Sequence, residues 1–238
     1  MSLPALLKGK GPSGFEYGPT AEQVTAGLDL TGRTILVTGA NSGLGLETVR
    51  VLSKRGARII AAARTVEKAR AACGAMGGDI VPVACHLSDP ASVRACVATV
   101  KASGAKLDAI ICNAGIMALS KLEQAHGYEL QFFTNHIGHF ILVTGLIDHL
   151  ADKGVVMLSS SGHQFAPKVG IEFDNLSGQR GYGPWRAYGQ SKLANLLFAK
   201  QLAKRLAGTG KTANALHPGG IMTNLGRNLG PRPIKWLA

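Results

Sequence analysis

From residue 34 onward, short apolar runs alternate with segments whose apolar positions recur at helical spacing. Thr34–Thr38 is a β-branched run that ends in a glycine turn. Leu44–Arg55 follows with helical spacing carried by Leu44, Val51 and Leu52, and Gly56 stops it. The same alternation predicts a strand at Arg58–Ala62, a helix at Val66–Met76 and a strand at Ile80–Ala84. Asp89-Pro90 opens the next helix, with Asp as N-cap and Pro in the first turn. Leu107–Cys112, Val155–Leu158 and Thr212–Leu216 complete the strands, with long helices predicted near 134–150 and 187–207.

Apolar strands that alternate with helices imply a parallel sheet covered on both faces. Right-handed crossovers then give a doubly wound, Rossmann-type α/β fold in a single domain, residues 31–238. Residues 1–30, rich in Gly, Pro and polar side chains, are predicted to lie on it as an arm. Ligands of such folds bind beyond the carboxyl ends of the strands, and the glycine turn at 39–45 sits at one such end.

Composition narrows the choice of partner. The formal net charge is +12, but the charges are spread along the chain and form no basic block. After Asp174 there is no Asp or Glu at all, which suits an anionic cofactor or substrate, or simply a solvated basic face. Without a recognition motif, nucleic acid is not expected as a partner. Cys73, Cys85, Cys96 and Cys112 form no CxxC pair and no zinc spacing, so a reducing, cytoplasmic setting and no metal are expected. Leu3–Leu7 is too short and interrupted for a signal peptide. No stretch of about 18 apolar residues stands out, so no transmembrane segment is expected. Homo-oligomerisation stays open.

The chemistry gathers at strand ends. Thr38-Gly39-Ala40-Asn41-Ser42-Gly43-Leu44-Gly45 follows a strand and opens a helix. In that setting glycines let the backbone approach a pyrophosphate, and the helix N-terminus offers free N–H groups. The second strand ends at Arg64, where an acidic residue would select the ribose 2′-OH of NAD; an arginine suits the 2′-phosphate, so NADP(H) is expected over NAD(H). Tyr188 and Lys192 stand four apart on a helix and share a face. A cation beside the phenol favours phenolate, so a lowered Tyr188 pKa is expected. Ser159-Ser160-Ser161 and Asn113-Ala114-Gly115 end two further strands at the same edge, and a serine hydroxyl there can bond a substrate carbonyl. Asn135 is taken to begin a helix, and His136 and His139, on an apolar helix, are assigned no role. Phe165, Phe173, Tyr182 and Trp185, between Ser160 and Tyr188, either line an apolar pocket or pack the loop down.

These motifs recur in the order found in the short-chain dehydrogenase/reductase superfamily. The chain resembles its branch of retinol dehydrogenase-like and chloroplast translocon-associated dehydrogenase-like proteins, from about Gly11 to Arg227. Shared segments include Asn113-Ala114-Gly115, Thr134–Phe140, Ser159-Ser160 with His163, Ala187–Asn195 and His217-Pro218-Gly219. The resemblance implies hydride transfer between NADP(H) and a carbonyl or alcohol carbon of an apolar small molecule. It also implies a catalytic tetrad. Tyr188 moves the proton, Ser160 polarises the carbonyl, Lys192 binds the nicotinamide ribose, and Asn135 keeps a water that links Lys192 to solvent. Gly39, Asn41, Ser42, Gly43, Leu44, Gly45 and Arg64 would hold the cofactor's phosphates. Asn113, Ala114 and Gly115 would flank it, with Pro218, Gly219, Ile221 and Thr223 at the nicotinamide amide. The chain departs from the pattern at His86-Leu87, where members usually carry Asp-Leu at the adenine. It also stops at Ala238, before the expected lid helix and last strand, so an open sheet edge and substrate cleft are expected. The competing reading is a catalytically idle NADP(H)-binding sensor or scaffold.

Overall fold

The computed structural model describes residues 14–15, 18–219, 221 and 225. In chain order the elements are α1 (Ala21–Val24), β1 (Thr34–Thr38), α2 (Gly43–Lys54), β2 (Arg58–Ala63), α3 (Val66–Cys73), β3 (Ile80–Ala84), α4 (Pro90–Ala102) and β4 (Leu107–Cys112). A short antiparallel hairpin, β5 (Gln124–Ala125) and β6 (Tyr128–Glu129), leads into the long helix α5 (Leu130–His149). Then come β7 (Leu150–Leu158), α6 (Pro184–Arg205) and β8 (Thr212–Leu216). The main sheet has the order β3-β2-β1-β4-β7-β8, and every pairing in it is parallel. This is the doubly wound, Rossmann-type α/β fold that the alternation predicts.

Successive side chains of a strand point to opposite faces, and the core divides accordingly. Ile35 and Val37 of β1 pack with Ile59 and Ala61 of β2, Val49 of α2 and Cys73 of α3 on one face. Leu36, Ile60 and Ala62 turn to the other face, under α4, α5 and α6, with Leu142, Met157 and Leu202. All four cysteines are free and buried. The arm contributes α1, which ion pairs strap to the rest: Glu22 meets both Arg50 and Lys54.

Several boundaries differ from the sequence expectation. The α2 helix spans Gly43–Lys54 rather than Leu44–Arg55, and β2 runs one residue longer. The α3 helix ends at Cys73, three residues early, because Gly74 takes the C-cap. The seventh strand starts at Leu150, five residues early, through a register shift that pairs Leu150 with Leu107. Helix α6 spans Pro184–Arg205 rather than 187–207. Helix α5 starts at Leu130, not near 134, because the buried Glu129 carboxylate accepts the Phe132 N–H at 2.7 Å. Asn135 therefore lies inside the helix rather than at its start, within a π-helical turn, Phe133–Ile137. By length and mean hydropathy (1.2) this helix is also apolar enough to cross a membrane, contrary to the expectation that no such stretch exists. Half of it is buried, with Gln131, Asn135 and His139 facing inward, so it serves here as a core helix. The expectation of an open edge concerns residues 224–238, which apart from Leu225 lie outside the described residues; β8 is the last strand among those described.

Just after the π turn, α5 touches the end of β3. A Cβ on Gly138 would lie 2.2 Å from the Leu87 carbonyl oxygen. Gly138→Ala is expected to destabilise the fold by about 1–3 kcal/mol, since neither backbone can yield without moving a core element. Urea unfolding checks this, and unchanged stability would show that the contact is loose.

Candidate active site

The carboxyl ends of β1, β2 and β3 lie side by side, with Thr38 opposite Ala62 and Ala63 opposite Ala84. The glycine turn starts at Gly39, whose φ of +69° is in the left-handed region that favours glycine. Gly45 is needed for a different reason. A Cβ there would stand 2.3 Å from the Gly39 carbonyl oxygen and 2.4 Å from Asn113 Nδ2. The turn is thus folded tightly onto the start of α2. Ser42 caps that helix without a side-chain hydrogen bond, and its first turn carries no acidic residue. Asn41, Ser42 and Leu44 are half-buried and Gly43 is exposed. This leaves N–H groups and the positive end of the helix dipole facing outward. Arg64 is exposed at the end of β2, with no hydrogen bond or ion pair among the described residues. Beyond β3, His86 is exposed with Nε2 3.1 Å from Ser88 Oγ, while Leu87 is buried.

The end of β4 is tied to this turn. Thr38 Oγ1 accepts the N–H groups of Asn113 and Ala114, each at 3.0 Å, and Asn113 Nδ2 donates to the Thr38 carbonyl at 2.9 Å. Gly115 comes next, and a Cβ on it would be 3.2 Å from Asn135 Oδ1 and 3.6 Å from Lys192 Nζ. A side chain there would press on Asn135, so glycine leaves the room in which those two side chains converge. Asn135 is fully buried. Its Oδ1 accepts from Ile116 N at 2.8 Å, and its Nδ2 donates to the Ile116 carbonyl and to Ser191 Oγ, each at 2.9 Å.

Ser160 follows β7 and accepts the Gly162 N–H on Oγ at 3.0 Å. A Cβ on Gly162 would sit 2.8 Å from Tyr188 Cε1 and 3.2 Å from Ser160 Oγ, so hydroxyl and phenol border the same glycine. Lys192 Nζ lies 5.7 Å from the Tyr188 ring centroid and donates to the Leu158 carbonyl at 3.0 Å. Ser159, the neighbour of Ser160, faces inward instead, with Oγ donating to the Lys192 carbonyl at 2.8 Å. The structure therefore gathers Asn135, Ser160, Tyr188 and Lys192 around two glycines. Pro218 and Gly219 follow β8 at the same edge, half-buried, and Ile221 is exposed; Thr223 lies outside the described residues.

The electrostatics correct one expectation. Burial pushes the Tyr188 phenol above its ordinary value of 10.0, and the Ser160 hydroxyl pulls it only part of the way back. The expected lowering by Lys192 is not what this packing gives. Burial also acts on Lys192 itself and brings it from 10.5 down to about 8.

Several buried polar groups were missed from sequence. His139 Nε2 is 2.9 Å from Thr38 Oγ1, and His136 Nδ1 is 3.2 Å from Asn195 Oδ1. Gln131 Oε1 accepts the N–H of Ala118, which is held at φ +50°, and Gln131 Nε2 reaches the Tyr182 hydroxyl at 3.1 Å. Polar residues recurring within the apolar stretch 130–146 were the available signal. Of the aromatics between Ser160 and Tyr188, Tyr182 packs down onto the Leu119 carbonyl at 2.6 Å, whereas Phe173 is 80% exposed.

Glycine turn, helix N-terminus and strand-end polar cluster define a Rossmann-type nucleotide-binding α/β protein. The chain belongs to the short chain dehydrogenase family, which it matches over residues 33–233. It is 41% identical over 212 residues to retinol dehydrogenase 12 of Mus musculus, covering 86% of this chain and 66% of that protein. It is 38% identical over 246 residues to the chloroplastic short-chain dehydrogenase TIC 32 B of Brassica napus, covering 97% of this chain and 77% of that protein. Among solved structures, an uncharacterised protein from Mycobacterium Paratuberculosis superimposes with a TM-score of 0.75 at 40% identity, covering 84% of this chain and 73% of that one. The RhlG/NADP active-site complex of Pseudomonas aeruginosa does so with a TM-score of 0.68 at 27% identity, covering 86% and 79%. The chain spans roughly two thirds of the length of the retinol dehydrogenases it matches, between 62% and 69%. The expectation of a cytoplasmic location has no counterpart in these names, one of which is chloroplastic.

A lysine buried without a carboxylate partner costs stability. In the folded chain Lys192 loses its proton at about 8, against 10.5 when unfolded. Between those values the unfolded chain binds more protons, so stability rises with pH there. Below about 8 both states are charged and the penalty is fully present. Lys192→Met is therefore expected to be more stable than the parent at neutral pH, on the order of 3 kcal/mol, with the difference shrinking as pH rises toward 10.5. Urea unfolding of both proteins across that range checks it; a pH-independent difference would contradict the buried-charge account.

Proposed function

We propose that this chain is an NADP(H)-dependent oxidoreductase that moves a hydride between the nicotinamide and the carbonyl or alcohol carbon of an apolar small molecule. The observation that carries this reading is the gathering of Ser160, Tyr188, Lys192 and Asn135 beside Gly115 and Gly162, at the same sheet edge as the glycine turn.

The residues present fit a dinucleotide. The uncapped N-terminus of α2 and the tight Gly39–Gly45 turn suit a pyrophosphate. Arg64, exposed at the end of the second strand, suits a 2′-phosphate, and the RhlG relative was solved with NADP. His86 and Leu87 would border the adenine, Asn113, Ala114 and Gly115 the middle of the cofactor, and Pro218, Gly219, Ile221 and Thr223 the nicotinamide amide. When bound, NADP(H) supplies or accepts the hydride.

The chain's own groups handle the oxygen. The Ser160 hydroxyl polarises the carbonyl, and Tyr188 hands its proton to the oxygen as charge develops there. Burial raises the phenol further above its ordinary value, so at neutral pH it carries the proton that reduction needs. Lys192, beside the phenol ring, stabilises the phenolate left behind and reaches the ribose. Asn135 holds the Ile116 loop and Ser191 in place around Lys192, and a water held there would link Lys192 to solvent.

The substrate side is aromatic. Trp185 meets Tyr188 edge-on, with centroids 6.1 Å apart, and Phe165 lies 5.8 Å beyond Trp185. Phe165 is 59% and Trp185 41% exposed, so an aromatic wall leads from the phenol to solvent. Such a wall suits an apolar alcohol or aldehyde, in keeping with relatives named retinol dehydrogenases.

Tyr188→Phe is expected to abolish NADPH-driven reduction of apolar aldehydes while leaving NADPH binding nearly intact, because the phenol serves proton transfer and not the pyrophosphate. Activity within a few-fold of the parent sinks the assignment. NADPH binding with no turnover by the parent, across a panel of carbonyl compounds, would instead mark a sensor or scaffold. Arg64→Ala should weaken NADPH about tenfold or more, the loss of a charge-assisted contact worth about 1.5–3 kcal/mol, and weaken NADH far less. Equal weakening of both, in a fluorescence titration, would show that Arg64 does not meet the 2′-phosphate.

A further inference from the structure

His139 belongs to no group assigned above, yet it is fully buried and both its ring nitrogens are engaged. Its Nδ1 is 2.8 Å from the Asn135 carbonyl oxygen. A carbonyl only accepts, so Nδ1 carries the proton. Burial, with Lys192 and His136 nearby, brings the ring's pKa from 6.5 down to about 4, so the ring is neutral and Nε2 is an acceptor. Thr38 Oγ1, 2.9 Å away, already accepts from Asn113 N and Ala114 N. Its own proton has two acceptors in reach, His139 Nε2 at 2.9 Å and the Ile111 carbonyl at 3.4 Å, and the nearer is the ring. The bonds thus run in a single direction: strand-end amides to Thr38 (with Asn113 N also meeting the Ile111 carbonyl at 3.0 Å), Thr38 to His139, His139 to Asn135. The path continues, for Asn135 Nδ2 donates to Ser191 Oγ and Ser191 Oγ to the Tyr188 carbonyl at 2.7 Å.

We infer that His139 is a positioning residue: its imidazole, protonated on Nδ1, is the strut that sets the π turn carrying Asn135 against the nucleotide-binding end of β1, and so aligns Asn135 with Lys192 and Tyr188. π turns within α-helices recur at functional sites, and this one has a side-chain donor dedicated to the carbonyl inside it. The strut joins residues 101 positions apart in sequence, so a shift on the glycine-turn side reaches the proton-transfer side through it. The catalytic consequence rests on the oxidoreductase reading above; the strut itself does not.

Two measurements on the full chain separate these. Ring nitrogen NMR of the histidine-labelled protein, with His139→Asn to assign the signal, is expected to show a neutral Nδ1–H ring throughout about pH 6 to 8. A proton on Nε2, or titration within that range, overturns the inference. The second measurement compares kcat and KM in NADPH-driven reduction of a medium-chain aliphatic aldehyde. In His139→Asn the amide nitrogen stands where Nδ1 stood and donates to the same carbonyl, whereas His139→Phe keeps the bulk and loses the donor. His139→Phe should lose about 10- to 100-fold in kcat, the scale of a small misplacement of reacting groups, with NADPH affinity changed less than about threefold. His139→Asn should recover part of that loss and no more, since it restores the bond to the Asn135 carbonyl but not the one to Thr38. Equal kcat for the Phe variant and the parent, or equal loss in the Phe and Asn variants, overturns the positioning role. If the parent reduces no aldehyde, the oxidoreductase reading has failed and the catalytic part of the inference with it, and the NMR result still judges the strut.

Discussion

The Thr38 hydroxyl joins three segments that the chain brings together from far apart. It ends β1, receives two amides from the end of β4, and faces the ring of His139 on α5. The amides of Asn113 and Ala114 belong to the loop that leads to Gly115, and buried amides need partners. By supplying one acceptor for both, Thr38 fixes where that loop leaves the sheet. Asn135 and Lys192 converge on that loop at Gly115. Valine has the same shape but would take the acceptor from the Ala114 amide and leave the Asn113 amide only the Ile111 carbonyl, 3.0 Å away.

The second constraint is an unpaired buried charge. Among the described residues Lys192 has no carboxylate beside it, and it settles its ammonium on the Leu158 carbonyl, which also receives Asn195 Nδ2 at 3.2 Å. A structural lysine would gain from a carboxylate there. A carboxylate, however, would neutralise the positive charge that a phenolate needs and would repel a phosphorylated cofactor. The fold accepts a destabilising residue where the proposed chemistry wants a cation, a common trade at functional sites. The same desolvation that depresses Lys192 raises Tyr188, so two groups with similar ordinary values are driven apart, each toward its neutral form.

The surroundings of the phenol differ on its two sides. Inward lie hydrogen-bonded polar groups that are almost wholly buried: Asn135, Ser159, Ser191 and Asn195. Outward lie Trp185 and Phe165, part exposed, with no hydrogen bond between them and the cluster. Such a division lets the inner side be rigid while the outer side accommodates different apolar shapes.

Local spacing settled a good deal of this protein. A β-branched run followed by glycines, an Asp-Pro helix start, and a Tyr and Lys four apart each express a short-range rule of backbone geometry. The strand limits of β1, β3, β4 and β8 and the Asp89 cap were legible for that reason. The π turn was not, because it lies within α5, whose start is capped by Glu129 and whose approach to Leu87 needs Gly138, and neither contact leaves a periodic trace. The early start of β7 was hidden as well, since Ala151-Asp152-Lys153-Gly154 lacks a strand's apolar pattern. His139 looked like any histidine on an apolar helix until folding placed it against Thr38. The direction of the Tyr188 shift turned on the balance between a neighbouring cation and lost water, and sequence spacing supplies the neighbour but not the burial. What the sequence determined by itself is which residues share a strand or a helix face; which faces meet, and how much water is left between them, only the tertiary structure decided, because desolvation and long-range hydrogen bonds belong to the packed molecule and to no segment of it.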